Sequence, residues 1–158
     1  MKNIRDYITE NLSSDDQKIA LDFVDFLYNN NLSFVKDNGY WKNKIYYLIK
    51  FKDKCVCFIA IKDPDEKENR WTVWSDDMDS AFLENYQIDK NLKELAWSYV
   101  DTCGNCGSCG GGRHKVIFGK SFNNVCGCTF RFDNPDIEVL KIMKEIIKVR
   151  IEELQNVN

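Results

Sequence analysis

Residues 44–63 read KIYYLIKFKDKCVCFIAIKD, and this stretch decides the fold. Over residues 44–52 the side chains alternate: Ile45, Tyr47, Ile49 and Phe51 point one way, and Lys44, Tyr46, Leu48, Lys50 and Lys52 the other. A period of two with lysines on one side is the pattern of a strand with one wet face. Lys52, Asp53 and Lys54 make a tight connection into a second strand over 55–61. There Cys55, Cys57, Ile59 and Ile61 share a face opposite Val56, Phe58 and Ala60. Apolar residues on both faces make that strand central.

Downstream, residues 63–69 (DPDEKEN) read as a polar turn and 71–74 (WTVW) as a third meander strand. Upstream, 32–35 reads as a short strand and 36–39 (KDNG) as a turn. Before them, Ile4, Tyr7, Ile8 and Leu12 recur at helical spacing. Ser14 followed by Gln17 has the capping-box form ahead of a second helix. Ile19, Ala20, Phe23, Phe26 and Leu27 lie on one face of it, and the asparagines at 29–31 end it. Asp76, Asp77 and Asp79 open a short helical piece with Met78, Phe82 and Leu83. They read as a solvated helix start favoured by the helix dipole rather than as a magnesium or calcium site.

Asp89 caps a helix over 90–101 with Leu92, Leu95, Ala96 and Tyr99 on one stripe, which delivers Cys103 at its end. Residues 115–119 and 125–132 read as a hairpin joined through 120–124 (KSFNN). Asn134, Pro135 and Asp136 start a last helix, with Asn134 as cap, that reaches about residue 154. Its stripe is Leu140, Met143, Ile147, Ile151 and Leu154, widened by Val139, Ile142, Ile146 and Val149, so it lies against the sheet. No repeat, low-complexity run or linker interrupts the chain. The expectation is one α+β domain over 1–158, with a mainly antiparallel sheet, meander plus C-terminal hairpin, packed against helices.

At 158 residues, 44% apolar and 13% aromatic, the chain can bury a core without cross-links. The net charge of -3, from 22 basic and 25 acidic residues mixed along the chain, gives no footprint for a nucleic-acid backbone. The longest apolar run, 55–61, is too short to span a bilayer, and the opening MKNIRDYITE lacks the apolar stretch of an export signal. A cytoplasmic protein is expected. In a reducing compartment, clustered cysteines are ligands or redox groups rather than disulfide partners.

Residues 103–128, CGNCGSCGGGRHKVIFGKSFNNVCGC, hold five of the seven cysteines, seven of the eight glycines and the only histidine. Cys103, Cys106 and Cys109 form C-x2-C-x2-C, and a hairpin returns Cys126 to close a tetrahedron of thiolates. Four sulfurs with no open position suit a structural zinc ion. The expected metal ligands are therefore Cys103, Cys106, Cys109 and Cys126. Three assignments compete: Cys128 in place of Cys126, from which spacing cannot distinguish it, His114 in place of either, or an ion shared with a second chain.

An iron–sulfur cluster is the chemical rival, since C-x2-C-x2-C opens a ferredoxin run. However, Gly110, Gly111, Gly112 and Arg113 follow where that run needs a fourth cysteine and a proline. A third reading is a thiol–disulfide switch, because Cys103 and Cys106 have C-x-x-C spacing and Arg113, His114 and Lys115 would favour a thiolate. Cys55 and Cys57 read as small buried apolar residues outside the site.

Residues 110–115 (GGGRHK) lack the spacing of a phosphate loop and open no helix. His114 has no acid partner and no serine elbow, so a hydrolase is disfavoured. Tyr40, Trp41, Tyr46, Tyr47, Trp71, Trp74, Trp97 and Tyr99 are more large rings than a small core needs, and some are expected to line a cleft for a small molecule or a partner segment. The turn of Cys103, Cys106 and Gly107 resembles those of zinc ribbons and rubredoxins, which implies a small structural metal turn. The opening helix, the meander 44–63 and the closing helix together resemble the bacterial YdhG-like small domains. That resemblance covers about half the chain, leaves out the cysteine lobe, and implies an α+β fold with no activity attached. The function expected is a non-enzymatic binding or regulatory module with a zinc-stapled lobe, and the alternative is a redox protein using the same thiols. The sequence sets no oligomeric state.

Overall fold

The fold is described from a computed structural model over residues 1–37, 43–107 and 109–156. The chain runs α1 (Ile4–Asn11), α2 (Ser14–Asn29), β1 (Ser33–Asp37), β2 (Ile45–Phe51), β3 (Lys54–Ile61), β4 (Trp71–Ser75), α3 (Lys90–Trp97), β5 (Val100–Thr102), β6 (Arg113–Ile117), β7 (Lys120–Asp133) and α4 (Ile137–Asn156). The strands form an antiparallel sheet in the order β1-β2-β3-β4-β7-β5, with β6 also paired to β7. This is the expected α+β architecture. Asn38, Gly39, Tyr40 and Trp41, from the expected 36–39 turn and the aromatic set, lie outside the described residues, and β1 already takes in Lys36 and Asp37.

Cross-strand partners share a face, so the pairing defines two sides. Tyr47, Ile59, Val73 and Phe132 form one row, and Ile61 and Trp71 continue that side; all are buried. α4 packs on it against β3 and β4, and α1 packs against β3. The α4 stripe is buried as its spacing predicts, with only Leu154 part-exposed. The other side carries Leu48, Phe58, Trp74 and Arg131, all half-buried. The Arg131 guanidinium lies 5.4 Å over the Trp74 ring, and Tyr46 stacks on Phe58 at 5.6 Å.

The β2–β3 turn puts Lys52 and Asp53 at φ 46° and 68°, the twist a two-residue hairpin needs. A bulge follows: Ile49 pairs with Cys57, but Lys50 pairs with Cys55. Strict alternation predicted one face for Cys55 and Cys57, and the extra residue puts them on opposite faces. Cys57 is fully buried under the helices, whereas Cys55 is half-buried on the other side.

Other expectations are corrected by local chemistry. Ser13, one residue before Ser14, caps α2, accepting from the Asp16 amide at 3.5 Å. Gln17 instead donates its amide to the Thr9 and Leu12 carbonyls at 3.0 and 2.7 Å, tying α1 to α2. Residues 76–88 form turns, not a helix, because their acids are taken by tertiary partners: Asp77 by Thr129, and Asp79 by the buried Arg150. The helix over 90–101 stops at Trp97, and its tail becomes β5 on β7.

The β6–β7 turn falls at Phe118 and Gly119, φ 48° and 84°, so residues 120–124 belong to a 14-residue β7 rather than to a loop. Asn134, at φ 47°, accepts from the Arg70 and Trp71 amides at 2.7 and 3.3 Å instead of capping α4. Asp136 takes the cap, accepting from Val139 N at 2.8 Å.

Candidate metal centre

The cysteine lobe hangs between β5 and β6, and both of its ends are fastened to β7. Thr102 and Arg113 both pair with Val125, and Cys103 N donates to Asn124 O at 2.8 Å. Gly112 lies so close to Asn124 that a Cβ there would meet its Oδ1 at 1.9 Å, so any larger residue would displace the Asn124 side chain. In between, Asn105 and Gly107 turn through φ 55° and 81°. The Asn105 amide lies 3.5 Å from Cys103 Sγ and donates to it, the amide-to-sulfur bond of a metal knuckle.

β7 brings Cys126 and Cys128 to one side, half-buried, while Val125, Gly127 and Thr129 alternate with them and are buried. Cys109 lies against Gly127: a Cβ there would stand 3.5 Å from Cys109 Sγ. Cys103, Cys106, Cys109 and Cys126 line one cavity of about 160 Å³, together with Gly104, Asn105, Gly107 and Gly111. Neither Cys128 nor His114 lines it; His114 lies on a different cavity. Among the described residues no three His, Cys, Asp or Glu side chains stand close enough to form a ready ion cage. The four thiols ring a space wider than one ion needs.

The donor chemistry fits a soft divalent cation. The Cys128 thiol hydrogen-bonds the Cys126 sulfur and, despite burial, holds the Cys126 pKa below the usual thiol range, with Lys115 adding to the effect. Cys128 moves the opposite way, because it gives that hydrogen bond, is buried and faces Asp76 and Asp77. The two sulfurs share one hydrogen bond, so the pair favours a single thiolate with the other sulfur kept protonated.

Sequence reasoning missed a second set of groups beside the lobe. The Cys55 pKa is pushed up by burial and by Asp76, which its thiol hydrogen-bonds, and burial likewise raises the Asp76 pKa. Further along, Thr129 Oγ1 stands 2.5 Å from Asp77 Oδ1 and 2.8 Å from Lys115 Nζ, so a buried hydroxyl links a lysine to a carboxylate. The signal available was the density of acids at 76–79, read as solvated.

The described aromatic residues do not gather in one cleft. Tyr47 and Trp71 are core, Tyr46 and Trp74 are on the opposite side of the sheet, the Trp97 indole donates to Ile117 O at 2.8 Å, and Tyr99 packs 4.9 Å from Phe132.

No protein-family model, curated protein or solved structure matches the chain. The likenesses to YdhG-like domains and to zinc-ribbon turns therefore rest on their residues alone. Among the described residues no helix is long and apolar enough to cross a membrane.

Proposed function

We propose that the chain is a cytoplasmic binding or regulatory module whose lobe is stapled by a structural zinc ion on Cys103, Cys106, Cys109 and Cys126. The observation that carries this reading is that these four sulfurs, from two separate parts of the sequence, line one cavity that Cys128 and His114 do not reach. Residues 103–112, CGNCGSCGGG, offer no Leu, Ile, Val or aromatic side chain to bury. Fixing about ten backbone units costs roughly 10–20 kcal/mol. A structural zinc ion contributes about 10–16 kcal/mol, which matches that cost. To bind, the sulfurs draw inward to Zn–S distances of about 2.3 Å, a contraction that Gly104, Gly107 and the glycines at 110–112 permit. The binding half of the reading rests on the side of the sheet where Tyr46, Phe58 and Trp74 stand beside Arg131.

Metal analysis of the purified chain tests it. One zinc per chain is expected, and Cys106→Ser should lose it while Cys57→Ser keeps it. If Cys106→Ser retained full zinc, the ligand set would be wrong. A second reading is favoured by the contact between Cys126 and Cys128: a thiol–disulfide switch, in which an oxidised disulfide partner accepts two electrons as the new S–S bond forms. Metal-free protein with titratable thiols would select it, and brown iron absorbance would select a cluster.

A further inference from the structure

Of the basic run Arg113, His114 and Lys115, the lysine alone reaches from β6 across to β7. Its Nζ donates to the Gly127 carbonyl at 3.0 Å and to Thr129 Oγ1 at 2.8 Å. Thr129 extends the contact: its hydroxyl and its amide both donate to Asp77 Oδ1, at 2.5 and 3.2 Å, and that oxygen lies 3.8 Å from Lys115 Nζ. The lysine side chain is 15% exposed and that of Asp77 3%. An ammonium withdrawn so far from water needs partners to stay charged, and a carbonyl, a hydroxyl and a carboxylate supply them here.

Gly127 joins this network to the lobe. It stands between Cys126 and Cys128 in sequence, and a Cβ built on it would lie 3.5 Å from Cys109 Sγ. Two of the four cavity cysteines, Cys109 and Cys126, are therefore neighbours of the residue whose carbonyl Lys115 holds. Four thiolates overcompensate a divalent ion and leave such a centre doubly negative, a charge that is costly in a half-buried place unless a cation stands nearby.

We propose that Lys115 is a positioning residue of the metal centre, fixing the stretch from Cys126 to Cys128 through the Gly127 carbonyl and offsetting the excess negative charge of the tetrathiolate, with Asp77 moderating that offset. The inference rests on the zinc reading above and adds a residue outside its ligand set. Asp77 can be tested without breaking the network. Its Oδ2 has no hydrogen-bond partner among the described residues, so an asparagine that keeps Oδ1 toward Thr129 loses the charge and no bond.

Competition for zinc between the intact chain and a chromophoric chelator tests the idea on three variants. Lys115→Met should weaken zinc binding roughly 10- to 100-fold, the range for removing a group that supports a metal ligand. Lys115→Arg, which keeps a charged donor, should recover most of that loss. Asp77→Asn should act in the opposite direction and tighten zinc roughly 2- to 5-fold, because the lysine charge is then unmatched. A role confined to packing would weaken zinc in Lys115→Met and Asp77→Asn alike, since both variants disturb the surroundings of Thr129. That result, or wild-type affinity in Lys115→Met, would overturn the proposal. If Lys115→Met fails to fold, the sign of the change in Asp77→Asn decides. A wild-type chain that binds no zinc overturns this proposal and the zinc reading together, whereas zinc held on the four cysteines with no response at Lys115 overturns this one alone.

Discussion

The end of the sheet under α4 and the end that carries the cysteines differ in what holds them. Under α4, Tyr47, Ile59, Val73, Phe130 and Phe132 are at or near zero exposure, and Leu140, Met143 and Ile147 close over the sheet. Burial of that kind, about 1.5–3 kcal/mol for each large apolar side chain, is sufficient to order it. Residues 103–112 bury nothing comparable; a few hydrogen bonds to β7 and four sulfurs around a cavity are what they have. The contrast teaches that one continuous strand, β7, is held at Phe130 and Phe132 by the hydrophobic effect and has no such burial at Cys126, where the proposed zinc ion would supply the missing hold. Each end should therefore be able to fail while the other holds.

Phe132→Ala gives the largest effect. Phe132 is fully buried, pairs with Val73 and stacks near Tyr99, so its removal should cost about 3–5 kcal/mol of global stability. Denaturant unfolding should register that loss while the folded fraction still binds one zinc. Cys106→Ser should do the reverse, removing zinc and the amide protection of 103–112 while α4 keeps its slow exchange. If either variant impaired both ends equally, the two would be one cooperative unit and the comparison would collapse.

The helix-covered end was also the legible one. The alternation at 44–52 and the wide stripe of α4 report a face that must be buried, and periodicity encodes that directly. What alternation cannot carry is a break in itself, so the bulge that sends Cys55 to the far face was invisible. So was the turn at Phe118 and Gly119, where the asparagines of KSFNN gave the stronger turn signal. In the lobe the four ligand candidates were readable from spacing. That Cys126 and not Cys128 lines their cavity was not, because it depends on how the loop folds back onto β7. The acids at 76–79 were misread because their partners, Thr129 and Arg150, come from β7 and α4.

Acid should separate the two ends more gently than mutation. Metal thiolates take up protons as pH falls and release the ion. In the core, burial pushes the Asp63 pKa up. The Lys44 ammonium, 2.6 Å from its Oδ2, and the Asp65 amide, 2.9 Å from its Oδ1, more than offset this and hold the pKa below its ordinary value. A carboxyl with a lowered folded-state pKa adds stability above its unfolded pKa, near 3.9, and that stability is lost only as pH falls through the lower, folded value. Zinc release, followed with a colorimetric chelator, should therefore finish at a pH where the near-ultraviolet circular dichroism of the buried Trp71 is still native. Asp63→Asn should lower denaturant stability at neutral pH and make little difference below the folded pKa of Asp63, so that stability falls less with acid than in the wild type. Coincident release and unfolding would show that the lobe and the core share one transition.

The smallest effect, and the sharpest on geometry, is expected from Gly127→Ala. The glycine sits between the two cysteines of β7 with no left-handed φ, so the backbone tolerates alanine, and a strand favours it over glycine by a few tenths of a kcal/mol up to about 1 kcal/mol. The new methyl would lie 2.9 Å from Met78 Cε, the far end of a flexible, 41% exposed side chain that can swing aside at little cost. Global stability should thus change by less than about 1 kcal/mol. The same methyl also stands 3.5 Å from the Cys109 sulfur, which in the proposed site has to move as the loop closes on the metal. Zinc affinity, read by competition with a chelator, should fall roughly 10-fold, within the range for disturbing groups that orient a ligand. A variant with the wild-type melting temperature and weaker zinc would mean that Cys109 reaches the ion across Gly127. Undiminished affinity would mean that the loop closes by another path, and the lobe would then owe less to β7 than the two anchors at Val125 and Asn124 imply.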